Sequence, residues 1–255
     1  MLYTALYSLQ DIRISGLMVL ASKNGLNGYI FYSVAALLVI GSYLLGSVNF
    51  AIYLSKAAYR KDIRDFGSKN AGTTNMMRTF GTKAAVLVLL GDVMKAVISV
   101  TVSLLLCGID VAYIAGIACI LGHCYPIYYK FKGGKGIATV AGMILAIEPI
   151  VFLICIVIFI AVVATTKMIS AASIMAALFF PLILNMIHRS TGGISTIMAV
   201  CAVFLAFFIL FKHRENIIRI INGQENKFSF KKSVKPESEK QKNGAETDPD
   251  DSKKD

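Results

Sequence analysis

Residues 136–166 read GIATVAGMILAIEPIVFLICIVIFIAVVATT and hold one charged residue, Glu148, followed directly by Pro149. Crossing a hydrocarbon core of ~30 Å takes about 20 residues, with a range of ~17–25. These 31 residues are therefore too many for one span. Proline lacks an N–H and disfavours helix at the residue before it. The stretch reads as a short helix over 136–147 and a second over 149–166, with a single kinked span as the alternative. Further apolar stretches lie at 29–54, 84–107, 111–129, 168–187 and 192–211. The expected fold is all-α: a polytopic membrane protein with seven transmembrane helices.

Charge tests that count. With seven spans, the loops at 55–83, 130–135, 166–168 and 212–255 share one side and carry 7, 3, 1 and 11 Lys and Arg. The other side, formed by 1–28, 108–110, 148–149 and 188–191, carries only Arg13, Lys23 and Arg189. Lys and Arg concentrate in cytoplasmic loops, so the N-terminus is expected outside and the C-terminus in the cytoplasm. Merging 136–166 into one span would put the whole basic tail outside, against the charge.

Composition agrees. Of 255 residues, 56% are hydrophobic and 16% charged, against ~45–50% apolar and ~25% charged in soluble domains. A secreted disulfide scaffold and a disordered chain are excluded, and the composition argues against an ordinary soluble enzyme. The net charge of +11 is read as positive-inside bias, with no nucleic-acid partner. Cys107, Cys119, Cys155 and Cys201 sit singly in apolar runs and Cys124 near a motif; no C-x-x-C or Cys/His zinc spacing occurs, so no metal is expected. Residues 1–28 begin without the basic segment of a signal peptide and read as an extracytoplasmic or interfacial extension, or as a start upstream of the native one. Residues 227–255, rich in Lys, Glu, Asp and Ser, read as a disordered cytoplasmic tail.

Three polar motifs fall on the cytoplasmic side. The first, Arg64-Asp65-Phe66-Gly67-Ser68-Lys69-Asn70-Ala71-Gly72-Thr73-Thr74-Asn75-Met76-Met77-Arg78, precedes an apolar helix. Glycines that admit backbone N–H groups, hydroxyls, amides and a cation are what a phosphate cradle needs. A solvated turn followed by a positive-inside arginine is the plainer reading. The second joins Gly122-His123-Cys124-Tyr125-Pro126 to Phe131-Lys132-Gly133-Gly134-Lys135-Gly136. It fails the P-loop pattern, because Tyr129 stands at the first glycine position and Gly136 follows the lysine. A glycine-rich turn with lysines can still bind an oxyanion, or be only an interfacial turn. The third, Lys212-His213-Arg214-Glu215-Asn216-Ile217-Ile218-Arg219, puts His213 and Asn216 on one helical face, or is basic snorkelling at a helix exit. Together the three point to a phosphate-bearing substrate at the membrane surface.

In this order and on these loops, the segments resemble the signatures of the PlsY family, the bacterial acyl-phosphate:glycerol-3-phosphate acyltransferases. The resemblance covers residues 29–226, the expected seven-helix acyltransferase domain. It rests on Gly46-Ser47, the first motif from Gly67 to Asn75 with Arg78, Gly122-His123 with Pro126, Phe131 to Lys135 with Ala138-Thr139, and His213, Asn216-Ile217 and Arg219. One departure is Val48-Asn49 after Gly46-Ser47, where the family commonly has proline two residues after the serine. The resemblance implies an enzyme of phospholipid biosynthesis in the bacterial cell (inner) membrane, with its active site facing the cytoplasm and no cofactor. It transfers an acyl chain from acyl phosphate to the 1-position of glycerol-3-phosphate, giving lysophosphatidic acid and phosphate. A soluble acyl-phosphate synthase would supply the donor. By the same resemblance Ser68, Arg78, His213 and Asn216 are catalytic. Asn70, Gly72, Thr73, Thr74, Asn75, His123, Gly133, Gly134, Lys135 and Ser170 bind substrate, and Glu225 is structural.

Acyl phosphate carries its own leaving group, so proximity and charge stabilisation suffice as the enzyme's contribution. No His is followed by an Asp after four intervening residues: Tyr128, Gly193 and Ile218 stand at that place after His123, His188 and His213. The proton acceptor is then His213 or a substrate phosphate, and the phosphate is favoured. A membrane transporter of a phosphorylated metabolite is the rival function. Transport calls for polar groups at the bilayer midplane, where only Asp92 and Lys95 occur, spaced to pair with each other.

Overall fold

A computed structural model describes residues 28–189 and 192–227, with Arg13 and residues 15–17. The expectations for the rest of the N-terminal extension and for the charged tail lie outside the described residues. Within them the chain is helical: α1 (Gly28–Ser47), α2 (Phe50–Tyr59), α3 (Thr73–Phe80), α4 (Thr82–Cys107), α5 (Ile109–Cys124), α6 (Ile137–Ile147), α7 (Pro149–Thr166), α8 (Ile169–His188), α9 (Thr196–Lys212) and α10 (Arg214–Ile221).

The deciding stretch folds as two helices. Glu148 ends α6 with φ −136° and ψ 63°, and Pro149 opens α7 at the first turn, where its missing N–H costs nothing. The buried Glu148 carboxylate is compensated from three directions. Arg13 Nη2 donates to Oε1 at 2.8 Å, His188 Nε2 lies 3.0 Å from Oε2, and Tyr113 Oη lies 3.4 Å from Oε1. Arg13, Glu148 and His188, from three segments that charge places on one side, thus meet at one end of the bundle.

Five candidates are long and apolar enough to cross a membrane: Gly28–Tyr59, Thr82–Cys107, Ile109–Tyr129, Pro149–Thr166 and Ile169–His188. The pair α9 and α10, bent by 60°, makes a sixth if taken as one span. Helix α6 has 11 residues, about 16 Å at 1.5 Å per residue, short of a full crossing. Exposed Ile150, Leu153, Val157 and Ile160 give α7 an apolar outer face, as expected of a helix that meets lipid.

Helix α1 packs on α5, α4 on α5 and α6, and α8 on α7 and α9. The core includes Tyr113, Ile120, Met143, Leu184 and Leu205. The α1–α5 contact is backbone to backbone. A Cβ on Gly46 would come within 2.1 Å of the Cys119 carbonyl oxygen, and one on Gly122 within 2.2 Å of that of Tyr43. Small residues let helices approach this closely inside a membrane. The departure at Val48-Asn49 falls where α1 breaks. Asn49 caps α2, its Oδ1 accepting from Ile52 N at 3.1 Å, and its Nδ2 donates to the Ala71 carbonyl at 3.3 Å. The break thereby holds the loop that carries the first motif.

Candidate active site

All three motifs meet at the opposite end of the bundle from Glu148. There a cavity of about 780 Å³ is lined by Ser68, Asn70, Thr73, Thr74, Arg78, His123, Lys135, Ser170, His213 and Asn216, with Gly72 and Asn75 also at its wall.

The first motif owes its shape to Asn75, which is 1% exposed. Its Oδ1 accepts from Ser68 N at 3.1 Å, and its Nδ2 faces the carbonyls of Ile63, Phe66 and Asn70 at 3.1, 2.9 and 3.1 Å. Gly67 stands at φ +55°, and a Cβ there would fall 2.3 Å from Asn75 Oδ1. Asn75, expected to bind substrate, therefore spends its polar atoms on the loop itself. Arg64 ties this loop to the glycine-rich one. It pairs with Asp62 at 2.7 Å and donates to the carbonyls of Tyr129 and Lys132 at 3.0 and 3.1 Å. What the loop leaves over is exposed Ser68, the buried Thr73 hydroxyl, which has no partner among the described residues, and Arg78. No hydrogen bond or ion pair engages Arg78 among the described residues, so its guanidinium fork is available to an anion.

The glycine-rich loop corrects an expectation. Gly133 N donates to Cys124 O and Gly134 N to His123 O, both at 3.2 Å, so these N–H groups are spent within the fold and do not cradle a phosphate. Gly133 and Gly134 lie behind the cavity wall. A Cβ on Gly133 would come within 2.0 Å of His123 O, and one on Gly134 within 2.3 Å of His123 Nε2 and 2.5 Å of Ala71 O. The glycines bring the loop against α5, and the group delivered to the cavity is Lys135. Burial, reinforced by the charge of Arg219, pulls the Lys135 ammonium down to about 8.

The third motif converges on Glu225. Its Oε1 accepts from Ser170 Oγ at 2.8 Å and Asn216 Nδ2 at 2.7 Å, and its Oε2 from Arg219 Nε at 2.8 Å. Burial alone would raise the Glu225 carboxyl, but these three donors hold it below its ordinary value. Asn216 Oδ1 in turn receives Lys135 Nζ. His213 sits at the bend just beyond α9, with Nδ1 2.8 Å from the Ile209 carbonyl. That contact is attractive only if Nδ1 carries the proton, so Nε2 is left as an acceptor. Burial, then the charge of Lys135, pulls His213 down to about 4. A neutral imidazole with Nδ1–H engaged cannot donate to a phosphate; Nε2 can only accept.

One charge not expected at the site is present there. Asp92 lines the cavity, and it pairs with Lys95 as spaced, at 2.7 Å, but both also touch His123. Two opposite charges inside a membrane span were the signal for it. From this polar mouth the cavity runs on between Ile144, Phe152, Phe159, Phe180 and Leu205, an apolar groove continuous with the cationic end.

The family model described as glycerol-3-phosphate acyltransferase matches residues 36–223. The glycerol-3-phosphate acyltransferase of Thermoanaerobacter pseudethanolicus is 41% identical over 201 residues, covering 79% of this chain and 99% of that one. That of Enterococcus faecalis is 38% identical over 200 residues, covering 76% and 92%. Among solved structures, PlsY (YgiH), an integral membrane glycerol 3-phosphate acyltransferase, matches in its glycerol 3-phosphate form with a TM-score of 0.71 and 35% identity, over 77% of this chain and 96% of that one. Its lysophosphatidic acid form matches with a TM-score of 0.69 and 33% identity, over 78% and 98%. With its three polar motifs gathered at one end of an apolar helical bundle and this likeness along nearly the whole of its relatives, the chain belongs to the PlsY family of glycerol-3-phosphate acyltransferases.

Proposed function

We propose that the enzyme transfers an acyl chain from acyl phosphate to the 1-hydroxyl of glycerol-3-phosphate, releasing lysophosphatidic acid and inorganic phosphate. The observation that carries this is the continuity of the cavity, cationic at its mouth and apolar along its length. It suits a substrate that is anionic at one end and a hydrocarbon at the other. The acceptor oxygen attacks the acyl carbon, the bond from that carbon to the phosphate oxygen breaks, and the hydroxyl proton passes to a phosphate oxygen. A substrate phosphate, with a second pKa near 6, is a stronger base than an imidazole held at about 4. Lys135 holds the phosphate of glycerol-3-phosphate and Arg78 that of acyl phosphate against their mutual repulsion, and Arg78 stabilises the leaving group. Ser68, Asn70, Gly72, Thr73 and Thr74 line the donor end, while Ser170, Asn216 and Glu225 fix Lys135.

In this reading residues 29–226 are the acyltransferase domain. The chain crosses a bacterial inner membrane seven times, α6 being a short span, with the cavity mouth in the cytoplasm where a soluble acyl-phosphate synthase supplies the donor. The test is a purified-protein assay of three donors with glycerol-3-phosphate. Acyl phosphate alone should support transfer, and phosphate release should require glycerol-3-phosphate. Equal use of acyl-CoA or acyl carrier protein would refute the donor assignment, and phosphate release without the acceptor would refute the transfer.

A further inference from the structure

Behind the glycine-rich loop lies a polar cluster that the reaction above does not use. Asp92 and Lys95 on α4 have side chains 1% exposed, and His123 at the end of α5 has 4%. Buried charges in a membrane bundle are costly and are retained where they serve a site.

The protons can be counted. Lys95 Nζ lies 3.0 Å from the Gly46 carbonyl, 3.0 Å from that of Val48 and 2.7 Å from Asp92 Oδ1. The two carbonyls sit at the end of α1, where helical partners run out. Three acceptors thus claim the three ammonium protons, and none is left for His123 Nδ1, 2.9 Å away. His123 Nδ1 is also 3.2 Å from Asp92 Oδ1. That contact is attractive only if Nδ1 itself bears the proton. His123 is then the Nδ1–H tautomer, and Nε2 carries a lone pair.

Nε2 is the atom that faces Gly134, the residue before the phosphate-binding Lys135, and His123 lines the cavity there. Asp92 also reaches the cavity wall, and its Oδ2 is buried without a partner among the described residues. A hydrogen-bond acceptor beside a phosphate cation is what a phosphorylated polyol needs, one end being anionic and the other a hydroxyl donor.

We propose that His123, fixed as the Nδ1–H tautomer by Asp92 and Lys95, accepts a hydroxyl of the phosphorylated polyol on Nε2. Asp92 and Lys95 are positioning residues for that contact. The inference rests on the acyltransferase reading, since it takes its ligand from that reaction.

The test is nitrogen NMR of the full chain labelled with 15N-histidine in detergent. The chain has three histidines, His123, His188 and His213, assigned by loss of signal in His188→Gln and His213→Gln. In the free enzyme His123 should show a protonated, pyrrole-type Nδ1 and an unprotonated, pyridine-type Nε2. Glycerol-3-phosphate should shift Nε2 towards the hydrogen-bonded position, whereas saturating inorganic phosphate should leave it in place. Asp92→Asn should mix the two tautomers and raise KM for glycerol-3-phosphate roughly 5- to 10-fold with KM for acyl phosphate unchanged. A protonated Nε2 in the free enzyme, or equal shifts with glycerol-3-phosphate and phosphate, would overturn the proposal whether or not Asp92→Asn folds. Turnover by the same wild-type sample separates the failures. Turnover with a protonated Nε2 sinks this inference alone, and no turnover with any acyl donor sinks the acyltransferase reading.

Discussion

Gly134→Ala is the sharpest probe of the glycine-rich loop, because the cost can be worked from distances. The added Cβ would stand 2.3 Å from His123 Nε2 and 2.5 Å from the Ala71 carbonyl oxygen, where ordinary contact begins near 3.4 Å. Neither neighbour can retreat. His123 is held by Asp92 and Lys95, and Ala71 is fully buried with its carbonyl engaged by Asn49. The loop must therefore move by about 1 Å, and Lys135 moves with it, enough to spoil a charge-assisted hydrogen bond. Losing that bond costs about 1.5–3 kcal/mol, or roughly 10- to 150-fold in KM for glycerol-3-phosphate. The loss of kcat should be smaller, because Lys135 grips a phosphate away from the reacting bond. Initial rates of the purified variant at saturating acyl phosphate give both constants. Gly41→Ala is the control, since nothing lies within 4 Å of its Cβ. A folded Gly134→Ala enzyme with wild-type KM would show that the close packing on His123 does not place Lys135.

Arg78→Ala should abolish turnover without loss of expression or membrane insertion, and Arg78→Lys should restore little if the contact is a two-pronged grip on phosphate; near-normal rates in the alanine variant would misplace the anion site. Lys135 is charged below about 8 and neutral above it, so kcat/KM for glycerol-3-phosphate should fall as pH rises through about 8, and Lys135→Arg should move that limb to higher pH. A basic limb unchanged by Lys135→Arg would assign it elsewhere. His213→Gln should keep most of kcat, with an acidic limb near pH ~6 belonging to the substrate phosphate; a loss of ~10²-fold or more with binding intact and no such limb would make His213 the base.

Where sequence succeeded and where it stopped follows from range. The break at Glu148-Pro149 was legible because proline acts on its own neighbour, and the apolar helices because hydropathy is local, though five of them, or six with the bent pair, are long enough to span where seven were expected. The motif residues Ser68, Arg78, Lys135 and Asn216 do meet at one cavity, as their shared side implies. Asp92 was read only as the partner of Lys95, since that pair lies within one helix turn. Its contact with His123 spans 31 residues and exists because α4 and α5 pack side by side. The glycine-rich loop misled for another reason. Composition says that its N–H groups can approach a ligand, but only the fold shows that those of Gly133 and Gly134 are spent on Cys124 and His123. Asn75 is the same case, an amide turned inward to shape its own loop.

The depressed lysine also gives the mouth a measurable proton balance. Free Lys135 titrates at about 8, well under the ~10.4 of a solvated ammonium, because it is buried and faces Arg219. A bound phosphate dianion supplies the missing counter-charge and must raise that value. Near pH 8 the free enzyme is about half protonated at this position, so binding glycerol-3-phosphate should take up as much as half a proton. Near pH 6 Lys135 is already charged, while the free phosphate is only partly ionised, with a second pKa near ~6. Cations in the site favour the dianion, so binding there should release protons instead. The sign of proton exchange thus reverses between the two pH values, and calorimetry in buffers of different ionisation enthalpy reads it directly. Lys135→Arg should abolish the uptake at pH 8 and keep the release at pH 6. Uptake that survives in Lys135→Arg would mean that another group carries the depressed titration, and the electrostatic account of the mouth would fail.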